Sequence, residues 1–185
     1  MLILFKFINF KKMNWNPDQR ALIQWITAGL RIEEVRNFRG DSRYLLSNMI
    51  AKVTLSNPYY RISNEALKIF QERKVDLTKE YKRGNFYGKK QPFVYEHSIP
   101  ASIVRSKLLE RAPLKESEVE KILLDAGTVA VILREEDKKL SSLKLATKMP
   151  EGWLWGDDEL ARYKAADIKL SDEKLYLIAT GAICR

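Results

Sequence analysis

The chain has 185 residues, 45% of them hydrophobic and 31% charged, which is enough for one ordinary domain with a sizeable core. Eight Gly and six Pro exclude a disordered or fibrous composition. A single Cys (Cys184) excludes an internal disulfide framework and a Cys-rich zinc site, and a single His (His97) excludes His-rich metal sites and a two-His catalytic pair. The formal net charge of +9 is unevenly spread: residues 1–112 carry 21 basic and 10 acidic side chains, residues 113–185 carry 12 and 14. A basic front of this kind suits a polyanionic partner, although charge speaks to association and not to fold.

The first residues, Met1 to Met13, include an apolar run too short to span a bilayer, which needs ~20 residues. No basic region precedes that run and no small-residue cleavage site follows it, so a signal peptide is not expected, and Met13 offers an alternative start. The protein is expected to be cytoplasmic, with no membrane partner.

Asn16-Pro17-Asp18 reads as a helix start, with Asn16 as cap and Pro17 in the first turn, followed by the apolar stripe Ala21, Leu22, Trp25, Ile26, Leu30. Helical spacing resumes over residues 31–56, interrupted at Gly40-Asp41-Ser42, and Ser56-Asn57-Pro58 is a turn. A third helix is expected over residues 62–75, capped by Ser63 or Asn64. The first 75 residues therefore read as all-helical. Lys79 to Pro92 is basic, aromatic and turn-rich, and a short strand begins at Phe93. Helices are expected from Ala101 to Leu109 and over residues 115–124. Thr128 to Leu133 is the clearest strand in the chain, being short, aliphatic and largely β-branched. Arg134 to Leu145 reads as a helix with acids in its first turn, residues 157–166 as another, and Lys174 to Ala179 as a last strand or helix.

The run that carries chemistry is Phe93-Val94-Tyr95-Glu96-His97-Ser98-Ile99-Pro100. A strand delivers an acid and then a His, and a Pro turns the chain away. Phosphodiester hydrolysis uses a near-neutral general base, which His supplies, and a hard divalent cation such as Mg²⁺, which carboxylates hold. Adjacent strand residues point to opposite faces, so Glu96 and His97 can serve one site only if the strand ends there and the backbone turns.

Acid-His-x-x-Pro at a strand end, then a second strand and a helix, resembles the His-Me finger (ββα-metal, HNH) nucleases over residues 93–145. The resemblance implies that His97 is the general base and Glu96 a ligand of a divalent metal, Mg²⁺. It implies a second ligand on the following helix, Asp137 first and Glu136 next. The same residues have plainer uses: a strand His can bond a backbone carbonyl, and helix N-termini favour acids.

In the segment before this strand, Lys82, Arg83, Lys89 and Lys90 interleave with Tyr81, Phe86 and Tyr87, a pattern that fits phosphate contact with stacking. With Arg105 they form the expected nucleic-acid contact, to DNA rather than RNA, and binding there would place a phosphate beside His97. The segment also reads as a solvated loop. Trp153 and Trp155 suggest a lid on the core or a surface for a protein partner, and Arg162 reads as a surface ion pair ahead of a phosphate clamp.

The expected architecture is α+β: a basic helical region over residues 1–78, then a ββα-like unit with C-terminal helices over 79–185, together one compact unit. Three functions fit it: a metal-dependent endonuclease, in restriction or phage defence for example; a non-catalytic nucleic-acid-binding protein; and a partner-docking subunit of a defence complex.

Overall fold

The computed structural model describes residues 15–37, 40–55, 59–77, 79, 85–86, 88–126, 128–171 and 176–177. The calls on the N-terminal apolar run, on the turn at 56–58, and on Lys82, Arg83, Tyr81 and Tyr87 lie outside the described residues. The fold is mixed α and β, as the sequence leads one to expect, with helices α1 (Pro17–Gly29), α2 (Glu33–Asn37), α3 (Asp41–Leu55), α4 (Asn64–Glu72), α5 (Ala101–Arg111), α6 (Glu116–Asp125), α7 (Arg134–Ser142) and α8 (Ala161–Ala165). The strands are β1 (Tyr59–Ile62), β2 (Phe93–His97), β3 (Val129–Leu133) and β4 (Tyr176–Leu177).

Local chemistry sets the helix starts. Asn16 accepts from the Gln19 backbone N–H at 2.8 Å while the Gln19 side chain accepts from the Asn16 N–H at 3.0 Å, a reciprocal cap reinforced by Pro17. Ser63 caps α4 by accepting from the Ala66 N–H at 3.1 Å. Glu118 caps α6 by accepting from the Lys115 N–H at 2.9 Å.

Helices α1, α3, α5 and α6 gather around one apolar core that includes Ile23, Leu30, Ile50, Val104, Leu108 and Ile122. Gln19 Nε2 donates to the Val53 carbonyl at 2.9 Å, so the start of α1 lies beside the end of α3. The sheet has the order β2-β3-β1-β4, with β1 parallel to β3 and the other two neighbouring pairs antiparallel. On one face, α4 buries Phe70 against Tyr60, Ile62, Phe93 and Val131, and Phe70 stacks on Phe93 with ring centroids 4.3 Å apart. On the other, α7 and α8 bury Leu140, Tyr163 and Ala166 against Ala130 and Ile132.

One expectation needs correction. The first 75 residues are not all-helical, because Tyr59–Ile62 forms β1, an interior strand of the sheet. Four residues carry too little periodicity to stand out between two helices, yet the alternation is real: Tyr60 and Ile62 are fully buried while Arg61 points to the other face. The helical core and the α4-side core each draw residues from both sides of position 78. Among the described residues, no helix is long and apolar enough to cross a membrane.

Candidate functional site

Strands β2 and β3 pair antiparallel from Phe93↔Leu133 through His97↔Val129, and α7 follows β3 directly. The two strands and the helix of the ββα pattern are thus present, with α5 and α6 inserted between the strands. Pairing that runs through His97 keeps the pleat alternating to the end of the strand. Phe93 and Tyr95 are buried on the α4 side with Val129 and Val131, whereas Val94 packs with Ala130 and Ile132 on the α7/α8 side. Glu96, opposite Ala130, therefore belongs to the α7/α8 face, and His97, opposite Val129, to the α4 face. The turn toward Pro100 comes after His97 and too late to bring the two side chains together. The His97 Nε2 atom is itself buried.

Glu96 meets Arg162 instead. Arg162 has no exposed surface, so it does not form the surface ion pair expected of it. Its Nε donates to the Ser98 carbonyl at 3.1 Å, and Nη1 donates to the Leu145 and Ala146 carbonyls at 2.7 and 3.3 Å. Its Nη2 donates to Glu96 Oε1 and to the His97 carbonyl. The neighbouring Tyr163 hydroxyl donates to the Glu96 carbonyl at 3.1 Å, and burial pushes its pKa upward. One guanidinium thus fastens α8, the end of β2 and the chain after α7. Burial raises the Glu96 pKa, the Arg162 charge and hydrogen bond pull it back, and the charge of Asp137 raises it again, leaving it above its ordinary value.

Asp137 therefore acts on Glu96 through its charge. Glu136 is committed elsewhere: its Oε2 accepts from the Leu133 N–H at 2.8 Å and from the Ser63 hydroxyl at 2.6 Å, which caps α7 and ties it to α4. The donor set does not fit a divalent cation. Glu96 is held by a buried guanidinium, Glu136 by a cap, and His97 faces the other way. Among the described residues, no group of three or more His, Cys, Asp or Glu could hold a metal ion.

A second charged pair sits on the α7/α8 face, where Arg61 Nη2 lies 3.7 Å from Glu159 Oε1. Burial raises the Glu159 pKa, Arg61 and the Thr128 N–H lower it, and Asp158 raises it, with burial dominant.

The basic segment takes its shape from two arginines. Arg134, at the start of α7, donates from Nε to the Gln91 carbonyl at 2.8 Å and from Nη2 to the Gly88 carbonyl at 2.7 Å. Arg73 donates from Nη1 to Gln91 Oε1 at 3.1 Å and lies over the Phe93 ring, 5.4 Å from its centroid. Gly88, at φ +133°, gives the backbone a turn that other residues rarely adopt. Lys89 and Lys90 are left exposed on this loop, beside the exposed Arg73 and Lys74 at the end of α4. Phe86 is not available for stacking on a base, because it is buried edge-on to Phe70 at 5.2 Å. The loop enters β2 at Phe93 and His97 closes the same strand, about 13 Å away along the backbone, so the loop and His97 lie at opposite ends of β2.

Arg105 is half-buried and donates from Nη1 to Ser47 Oγ at 2.8 Å, linking α5 to α3. Trp153 and Trp155 are partly buried against the helical core with ring centroids 6.3 Å apart, and the exposed side chain between them is Leu154. Sequence reasoning missed the contacts of Arg61, Arg73, Arg134 and Glu159 and the burial of Arg162, since an isolated charged residue carries no mark of the distant groups it meets in the fold. No protein-family model, curated protein or solved structure matches this chain.

Proposed function

We propose that the protein binds nucleic acid, DNA in the first instance, through the basic edge formed by loop 88–92, the end of α4 and the start of α7. In this reading the buried Glu96–Arg162 centre is structural. The observation that carries it is the fastening of the loop by Arg134 and Arg73, which leaves Lys89 and Lys90 exposed beside Lys74 on a preorganised backbone. A loop fixed in advance loses less entropy on binding than a free one. The endonuclease reading keeps its ββα scaffold and loses its paired site, because the residues implied as base and metal ligand occupy opposite faces.

The test is fluorescence anisotropy with a labelled DNA duplex at increasing salt. Replacing Lys74, Lys89 and Lys90 with Gln should weaken binding about tenfold or more near 0.1 M salt and flatten the salt dependence, because fewer counterions are released. Unchanged affinity and slope would overturn the assignment of this edge.

A further inference from the structure

We propose that Arg43 and Ser47 of α3 and Arg105 of α5 form a binding site for a phosphate group, distinct from the basic edge described above. Arg105 donates from Nη1 to Ser47 Oγ at 2.8 Å, and that hydroxyl donates to the Arg43 carbonyl at 3.0 Å. Residues four apart on a helix share a face, so Arg43 and Ser47 lie one turn apart on the same stripe of α3. The Arg105 guanidinium is brought onto that stripe from α5. Two arginines and one hydroxyl thus occupy the junction of two helices. Both arginines are half-buried, so each keeps part of its surface in solvent.

Neither arginine has a carboxylate partner among the described residues. The acids of these two helices are placed otherwise. Asp41, the acid of α3, is two residues from Arg43, a spacing that does not share a face. Glu110, the acid of α5, pairs with Lys107 at 3.4 Å. The Arg43 Nε atom is buried and has no hydrogen-bond partner. A buried donor left unpaired costs free energy, and a second cation on the same stripe adds to the cost. A bound anion relieves both. A phosphate group brings up to about two negative charges and three acceptor oxygens, enough for two guanidinium groups and a hydroxyl. A carboxylate is satisfied by a single fork. Ser102, one turn before Arg105, donates to the Thr147 carbonyl at 3.1 Å, which sets the exposed Lys148 next to the start of α5 and adds positive potential on the approach.

The experiment titrates the full chain with inorganic pyrophosphate by calorimetry and with a labelled DNA duplex by anisotropy, for the wild type, Arg43→Gln and Lys52→Gln. The Arg43 side chain makes no hydrogen bond among the described residues, so Arg43→Gln takes none from the fold. Pyrophosphate affinity should fall about tenfold or more in Arg43→Gln, the worth of a charge-assisted hydrogen bond. It should change less than about twofold in Lys52→Gln, whose charge lies about 13 Å further along α3. A duplex bound more weakly by Arg43→Gln, with a log–log salt slope shallower by about one, would assign the phosphate to a nucleic-acid backbone. An unchanged duplex affinity beside the loss of pyrophosphate would assign it to a free phosphorylated molecule. No Arg43-dependent binding of either probe would overturn the site, and so would equal losses in Lys52→Gln, which would reduce the effect to net charge. The same Arg43-dependent loss should persist when Lys74, Lys89 and Lys90 are Gln, so this site and the basic edge stand or fall separately.

Discussion

Glu96 and His97, adjacent in sequence, lie on opposite faces of the sheet, the first beside Ala130 and the second beside Val129. A hydrolytic centre with His97 as base and Glu96 on a metal needs both within a few ångströms of one phosphate, and a continuous strand through both residues prevents it. Incubation of supercoiled DNA with Mg²⁺ should therefore give no nicking by the wild type beyond that of His97→Ala. The same substitution should leave duplex affinity within about twofold while lowering stability by about 0.5–3 kcal/mol, through loss of the packing of a half-buried ring. Wild-type cleavage that disappears in both His97→Ala and Glu96→Gln, with folding intact, would restore the nuclease reading.

Arg162 offers a sharper test of what holds the fold together. Its guanidinium serves four backbone carbonyls and the Glu96 carboxylate with no access to water. Arg162→Met leaves a buried carboxylate and several carbonyls without their donor, so urea unfolding should report a loss of about 3–5 kcal/mol. Adding Glu96→Gln should return part of that loss, because the uncompensated charge is removed. A single variant within about 1 kcal/mol of wild type would show that water replaces the guanidinium.

The elements legible in the sequence were those with long or strongly apolar patterns. Asn16-Pro17 marks the start of α1, and Val129–Leu133 is unmistakable as a strand because it is buried along nearly its whole length. Strand β1 is not legible, since four residues between helices give a short alternation that only pairing with β3 and β4 turns into a strand. Acid-His-x-x-Pro correctly marked the end of β2, but the motif cannot say whether the pleat persists through His97. That depends on Val129, 32 residues further on. Helical spacing near Trp155 points to an exposed ion pair for Arg162 and does not reveal that the carbonyls of Ser98, Leu145 and Ala146 converge on it.

Arg134 tests whether the basic edge depends on preorganisation. Its Nε and Nη2 are held by loop carbonyls, which occupy those donors and leave its positive charge at the edge. Arg134→Met should free loop 88–92 while leaving Lys89 and Lys90 in place. Duplex affinity should then fall about three- to tenfold, the share of order that binding must now supply, with the salt slope changed by less than one. Hydrogen exchange at Gly88 to Gln91 should rise in parallel. A variant with wild-type exchange and weakened binding would mean that Arg134 contacts the phosphates directly.

Glu159 sets a pH dependence of unusual sign. Burial holds its carboxyl above the ordinary 4.5, with Arg61 and the Thr128 N–H only partly offsetting the effect. Between 4.5 and the raised value, the folded protein therefore holds a proton that the unfolded chain has released. Stability rises with pH only where the unfolded state binds more protons, and here it binds fewer. The contribution of Glu159 is thus complete below 4.5 and is lost as pH rises through the folded value. Asp158, the neighbouring acid, is held below its ordinary 3.8, chiefly by its hydrogen bond to Lys164, and titrates outside this window. Glu159→Gln keeps the shape and removes the titration. Urea unfolding of both proteins from pH 4.5 to pH 7 should show the wild type losing stability relative to the variant as pH increases. The opposite trend would mean that Arg61, 3.7 Å away, outweighs burial and that Glu159 is held in its ionised form by the pair.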